Sequence, residues 1–126
     1  MMYPPVFSVC SADADVQSHL GAGPCRVFLF GYAEGVNGGP PQKPYAVWRI
    51  VSGEPENYLD KAPDADTWTL QFDVFGDTAY TSREAAKALR NAIEPTAHVV
   101  NWDGESRDPK TRNYRCRFTV DWLSDR

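Results

Sequence analysis

Two stretches of strict alternation limit what this chain can fold into. From Trp68 to Val74, the side chains Trp68, Leu70, Phe72 and Val74 fall on one side of an extended backbone, and Thr69, Gln71 and Asp73 on the other. Near the C-terminus, Tyr114, Cys116, Phe118, Val120 and Trp122 repeat the pattern against Arg115, Arg117, Thr119 and Asp121. A period of two puts successive side chains on opposite faces of a strand, so both segments read as half-buried strands. Their apolar faces need a cover, and their polar faces meet water or another subunit.

The cover is a helix. Thr81-Ser82-Arg83-Glu84 reads as a capping box, with the Thr81 hydroxyl reaching the Glu84 N–H and the carboxylate reaching back. A helix from Ser82 to about Ile93 follows, with Ala85, Ala88, Leu89, Ala92 and Ile93 as its apolar stripe and Pro95 as its stop. Small residues on that stripe allow close approach to a sheet.

The remaining elements read more locally. Pro4 and Pro5 suit a first helical turn, Asp13 can cap a second in which Val16 and Leu20 stack, and Gly21 offers a stop. Arg26 to Phe30 is a strand too apolar for an exposed edge. Tyr45 to Val51 is another, ended by Ser52-Gly53. A polar, acidic connection runs from Glu54 to about Asp66. A C-terminal hairpin starts with an arm from His98 to Trp102 and turns through Asp103-Gly104 and Asp108-Pro109 into the last strand. The order α-β-β-β-α-β-β gives an α+β fold: a mostly antiparallel sheet of four to five strands, helices on one face, and a C-terminal β-hairpin.

Between the first two strands, Gly31, Gly35, Gly38 and Gly39 alternate with Pro40, Pro41 and Pro44. Residues 31–44 are expected to be a mobile loop inside a single domain spanning 1–126, because neither flank is long enough to fold alone. At 126 residues such a domain buries about two-thirds of its unfolded surface. The chain is 42% hydrophobic and 24% charged, which separates it from disordered sequences.

A formal charge of -4 argues against a protein that grips nucleic acid or anionic lipid. Met1-Met2-Tyr3-Pro4-Pro5 has no basic region followed by an apolar run, so no secretion signal is expected. No stretch approaches the roughly 18 apolar residues of a membrane span. Cys10, Cys25 and Cys116 are odd in number and lack CxxC spacing, which points to buried thiols in a reducing cytoplasm rather than zinc or disulfides.

Signals of chemistry are weak. The glycines do not space as GxGxxG and no Gly-Lys-Ser/Thr follows them, so phosphate binding is not expected. Asp13/Asp15 and Asp64/Asp66 lack the further oxygens of a calcium loop and read as a helix cap and a solvated loop. His19 and His98 are the only histidines, and no Gly-x-Ser-x-Gly elbow accompanies them. A pairing of His98 with one of the cysteines stays open. Catalytic, cofactor-binding and metal-ligating residues are expected to be none.

Charge placement carries more. Glu54, Glu56, Asp60, Asp64 and Asp66 stand against the single Lys61, while Arg107, Lys110, Arg112, Arg115 and Arg117 stand against the single Asp108. These patches are either neighbours within one chain, solvated faces, or the two halves of a head-to-tail contact between copies. A contact of the last kind closes into a ring when the rotation per subunit divides the circle. All ten are candidate residues of a subunit or tail-tube interface.

The tail tube enters through a resemblance. Tyr45-Ala46-Val47-Trp48, the run from Ser52 to Leu59, the run from Leu70 to Gly76, the Ala-rich helix, the segment from Val99 to Asp108 and the aromatic last strand resemble tail terminator (tail completion) proteins of long-tailed, lambda-like phages. The similarity covers nearly the whole chain. It implies a virion structural protein and not an enzyme: an α+β subunit of a six-fold ring on the head-proximal end of the tail tube, assembled in the host cytoplasm. Such a ring ends tube growth and presents a surface for head–tail joining. Its implied partners are other copies, the major tail tube protein and a head–tail connector, with double-stranded DNA passing through the lumen unread. An acidic balance suits that passage, since it repels phosphate. The alternatives are a connector or minor tail protein of the same machine, or a small ligand-binding or enzymatic domain.

Overall fold

The computed structural model describes residues 3–30, 41–56 and 65–125. Among them the element order is α1 (Val6–Ser11), α2 (Ala14–Leu20), β1 (Val27–Leu29), β2 (Tyr45–Pro55), β3 (Ala65–Gly76), α3 (Ala79–Ile93), β4 (His98–Arg107) and β5 (Tyr114–Asp125). The strands form one five-stranded sheet in the order β1-β2-β3-β5-β4. β1 runs parallel to β2, and every other pair is antiparallel. The fold is therefore α+β and mostly antiparallel. The expected Gly/Pro loop falls largely on residues 31–40, outside the described residues.

The two alternating segments are the centre of the sheet. Trp68, Leu70, Phe72 and Val74 of β3 lie opposite Trp122, Val120, Phe118 and Cys116 of β5, and all eight are buried. α3 covers them with Ala85, Ala88, Leu89, Ala92 and Ile93, as its stripe predicts, and Ala86 and Ser82 join the buried set. The larger of these, Leu89 and Ile93, each stabilise by about 1.5–3 kcal/mol through burial. α1 and α2 pack beside α3, with Val6, Cys10, Val16 and Leu20 completing the same core. Asp13 caps α2 by accepting from the Val16 N–H at 3.1 Å, and Gly21 follows it at φ 88°.

Several boundaries differ from the sequence reading, each for a local reason. α3 starts at Ala79 because Thr78, in extended conformation, is the cap: its hydroxyl accepts from the Thr81 N–H, and the Thr81 hydroxyl accepts from the Thr78 N–H. Thr81 is thus the returning partner of the box rather than its first residue. β2 does not stop at Ser52-Gly53 but bulges between Ile50 and Ser52 and continues to Pro55. Gly53 is a packing residue: a Cβ there would stand 2.6 Å from the Trp68 ring. β4 runs through Asp103-Gly104, where the register shifts again and Gly104 takes φ 104°, so this dipeptide bulges the strand instead of turning it. The turn is 108–113, held by the Lys110 N–H on the Asp108 carboxylate at 2.9 Å and the Arg112 N–H on the Asp108 carbonyl at 2.7 Å.

β1 is also corrected. Among the described residues it is an edge strand, hydrogen-bonded to β2 alone, with Leu29 41% exposed. Its apolar character comes from Val27, which is buried on the side where β1 packs against α1, rather than from a place inside the sheet.

Candidate functional site

The face of the sheet opposite the helices is built from the polar halves of the alternating strands. Asp73 on β3 is its electrostatic centre. Arg117 grips it with two hydrogen bonds, 2.7 and 3.3 Å, and Arg115 lies 4.0 Å away. The pairing with Asp73 pushes the Arg117 guanidinium further above its ordinary range. Arg49 donates to Gln71 at 2.9 Å, Thr69 donates to Asp121 at 3.0 Å, and Thr119 and Asn101 both donate to Asp103. Tyr45 stacks on Phe75 with ring centroids 5.1 Å apart, closing one end of this face.

The ten charged candidates divide on the structure. Glu54 and Glu56 are exposed at the far end of β2, where the Thr67 hydroxyl donates to Glu56. Asp60 and Asp64 lie outside the described residues. Asp66 is not a loop residue: it is paired with Pro55 inside β3 and is 3% exposed, so it cannot belong to a surface patch. Arg107, Lys110 and Arg112 are exposed around the β4–β5 turn, with Arg107 over the Tyr114 ring at 5.5 Å. Backbone N–H donation from Lys110 holds the Asp108 carboxyl below its ordinary range, which keeps the one acid of this turn ionised. Arg115 and Arg117 are half-buried and committed to Asp73.

The exposed acids and the exposed bases are far apart. Glu54 pairs with Thr67 at one end of β3, and Arg107 pairs with Tyr114, which faces Gly76 at the other end. Nine residues of strand separate those levels, about 30 Å. Among the described residues the exposed acids and the exposed bases are not neighbours; they stand at diagonal corners of the sheet.

A cavity of about 380 Å³ opens between α3 and β4, lined by Arg83, Ala86, Trp102, Gly104, Glu105 and Cys116. Arg83 clasps Glu105 with hydrogen bonds of 2.6 and 2.8 Å, and this holds the Glu105 carboxyl down at about 2. The Cys116 thiol donates to Glu105 at 3.4 Å and lies 3.3 Å from the Ser82 hydroxyl, which itself donates to the Val74 carbonyl at 2.9 Å. Burial pushes the Cys116 thiol up, and it pushes Cys10 up to about 12, so neither thiol is poised as a nucleophile. His98 faces Asp121, five residues along β5 from Cys116, roughly 17 Å, so these two do not meet. Among the described residues there is no cluster of His, Cys, Asp or Glu that could hold a metal ion. No described helix is long and apolar enough to cross a membrane.

The sequence reading missed Asp73, Arg83, Glu105 and Trp102. Asp73 is a lone acid between Phe72 and Val74, and Arg83 and Glu105 are twenty-two residues apart. No local pattern joins them.

Comparison with known proteins gives the family. The family described as tail completion protein gp17 matches residues 4–125. The chain belongs to that family. A tail completion protein is a structural part of a phage-type virion. A chain from the virion of a native gene transfer agent particle shares the fold, with a TM-score of 0.63 at 17% identity, over 96% of this chain and 92% of that one. No curated protein matches the sequence.

Proposed function

We propose that this tail completion protein is the terminator of the tail tube: copies close into a ring, hexameric by resemblance, on the head-proximal end of the tube. The ring ends polymerisation and presents the surface to which the head is joined. The observation that carries this reading is the family match from residue 4 to residue 125. The likeness of the whole fold to a virion chain supports it.

The charged corners supply the contacts. The acidic end of β2, with Glu54 and Glu56 and with Asp60 and Asp64 following in sequence, and the basic β4–β5 turn, with Arg107, Lys110 and Arg112, serve as assembly surfaces toward the tube protein and the connector. Asp66, Arg115 and Arg117 drop out of that set, the first because it is buried and the others because Asp73 engages them. Double-stranded DNA passes through the lumen without being read. A chain of net charge -4 holds phosphate weakly, which suits rapid transit.

Electron microscopy of particles made without this protein tests the reading. Overlong tails detached from filled heads are the expected result. Tails of normal length that fail to join heads would transfer the chain to the connector role, and intact infectious particles would remove it from assembly altogether.

A further inference from the structure

One row of large apolar side chains crosses the whole sheet. Leu29 of β1 lies beside Trp48, Trp48 beside Phe72, Phe72 beside Phe118, and Phe118 beside Trp102 of β4. The rings are in contact along the row, with centroids 6.5, 4.9 and 5.1 Å apart. The interior of the row is core, but both ends are open. At the β1 edge Leu29 is 41% exposed, and the next residue, Phe30, is 66% exposed. At the β4 edge Trp102 is 48% exposed and forms one wall of the 380 Å³ cavity.

Phe30 is an unusual residue to find there. Its N–H donates to the Trp48 carbonyl at 2.9 Å, which locks it to the level of the row, and its φ of 68° lies in the left-handed region. A bulky side chain in that region costs about 1–2 kcal/mol relative to an ordinary conformation, and glycine would relieve it. The chain thus holds an apolar ring in the open, in a strained conformation, at one edge of the sheet. At the other edge, on the same row, it holds a cleft with an aromatic wall.

We infer that Phe30 of one copy seats in the α3–β4 cleft of the next copy, against Trp102. The inference rests on the ring reading above and names its copy-to-copy contact. A knob on one edge and a hole on the opposite edge make a heterologous contact, the kind that propagates around a ring. Knob and hole belong to the same row of cross-strand partners, one at each end of it. The two sites are four strand spacings apart, about 19 Å, so Phe30 cannot fill the cleft of its own chain. The Arg83–Glu105 pair and the Arg90 guanidinium, 5.9 Å from the Trp102 ring, give the cleft a polar rim around an apolar floor, the usual layout of a binding hot spot. This contact leaves the diagonal acidic and basic corners free for other proteins of the tail.

The test places a photo-reactive benzoylphenylalanine at position 30 in full-length protein, assembles particles with it, irradiates them and maps the adducts by mass spectrometry. Adducts on the peptides carrying Arg83 to Ala86 or Trp102 to Glu105 of another copy are expected. Phe30→Gly should stay folded, with an equal or higher melting temperature, and lose about thirtyfold or more in copy-to-copy association. Closed rings at the tail end whose adducts fall elsewhere, or rings that Phe30→Gly forms as well as the parent, overturn the contact and leave the terminator reading standing. Particles in which the chain sits at the tail end without forming a ring overturn both.

Discussion

The two edges of the sheet solve the same problem in opposite ways. A strand edge offers unpaired N–H and C=O groups to any other strand, and proteins blunt it by shortness, bulges or charge. β1 is blunted by being three residues long. β4 is ten residues long and exposed along nearly all of it, but it is broken by two register shifts, Gly104 at positive φ, and the charges of Asp103, Glu105 and Arg107. The difference teaches where stability and assembly reside. β1 is anchored in the core through Val27, whereas β4 faces water, tied to the body through Phe118, Val120 and the Arg83–Glu105 clasp. Backbone pairing between copies is suppressed at both edges, which leaves recognition to side chains.

The comparison breaks most completely in the middle of the row that joins the edges. Phe118→Ala removes a fully buried ring stacked on Phe72 and in contact with Trp102, and should cost about 3–5 kcal/mol in urea unfolding. Both edges then fail together. Next is Gly76→Ala, where the added Cβ would meet the Ser82 backbone N at 2.8 Å. It should cost about 1–3 kcal/mol by pushing the start of α3 off the sheet, and it should perturb amide signals at the β4 side more than at β1.

The edges then separate. Val27→Ala, at the buried edge, should cost about 2 kcal/mol. Trp102→Ala, at the half-exposed edge, should cost less than that in stability and yet impair assembly. Equal losses of stability would show that the two edges are not different in kind.

The smallest effect is on pH. Arg83 lowers Glu105 from its ordinary 4.5 to about 2, so the clasp contributes stability that is present above pH 4.5 and lost as pH falls toward 2. Because both groups are largely in water, the contribution is small. The carboxyl titration of Glu105, followed by NMR, should have its midpoint near 2 in the parent protein and move up toward 4.5 in Arg83→Met. A midpoint unchanged by that substitution would remove the clasp from the account of β4.

Much of the covered face was legible in the sequence, because alternation against a helix leaves a period that survives without any partner. β3, β5, the stripe of α3 and the Asp13 cap are of this kind. β4 past Trp102 was not legible, since Asp103-Gly104-Glu105-Ser106-Arg107 is exposed on both faces and carries no period; its Asp-Gly pair is a turn signal used as a bulge. β2 past Gly53 was hidden because the glycine that reads as a stop is the space occupied by the Trp68 ring. The start of α3 was misread because two threonines three residues apart can each open a capping box, and only the extended backbone at Thr78 decides between them. For the assembly surfaces, sequence showed that charge is segregated. It could not show that Asp73 takes two of the bases inside the chain, that Asp66 is buried, or that the remaining patches stand at diagonal corners.

The central claim is that copies of this chain form one closed ring at the head-proximal end of the tail. Cryo-electron microscopy of the head–tail junction, with this chain fitted to the averaged density, tests it most directly. The account predicts a single ring at the top of the tube, the β1 edge of each copy against the α3–β4 edge of the next. Density that places the chain elsewhere in the particle, or as an isolated copy at the junction, would contradict it.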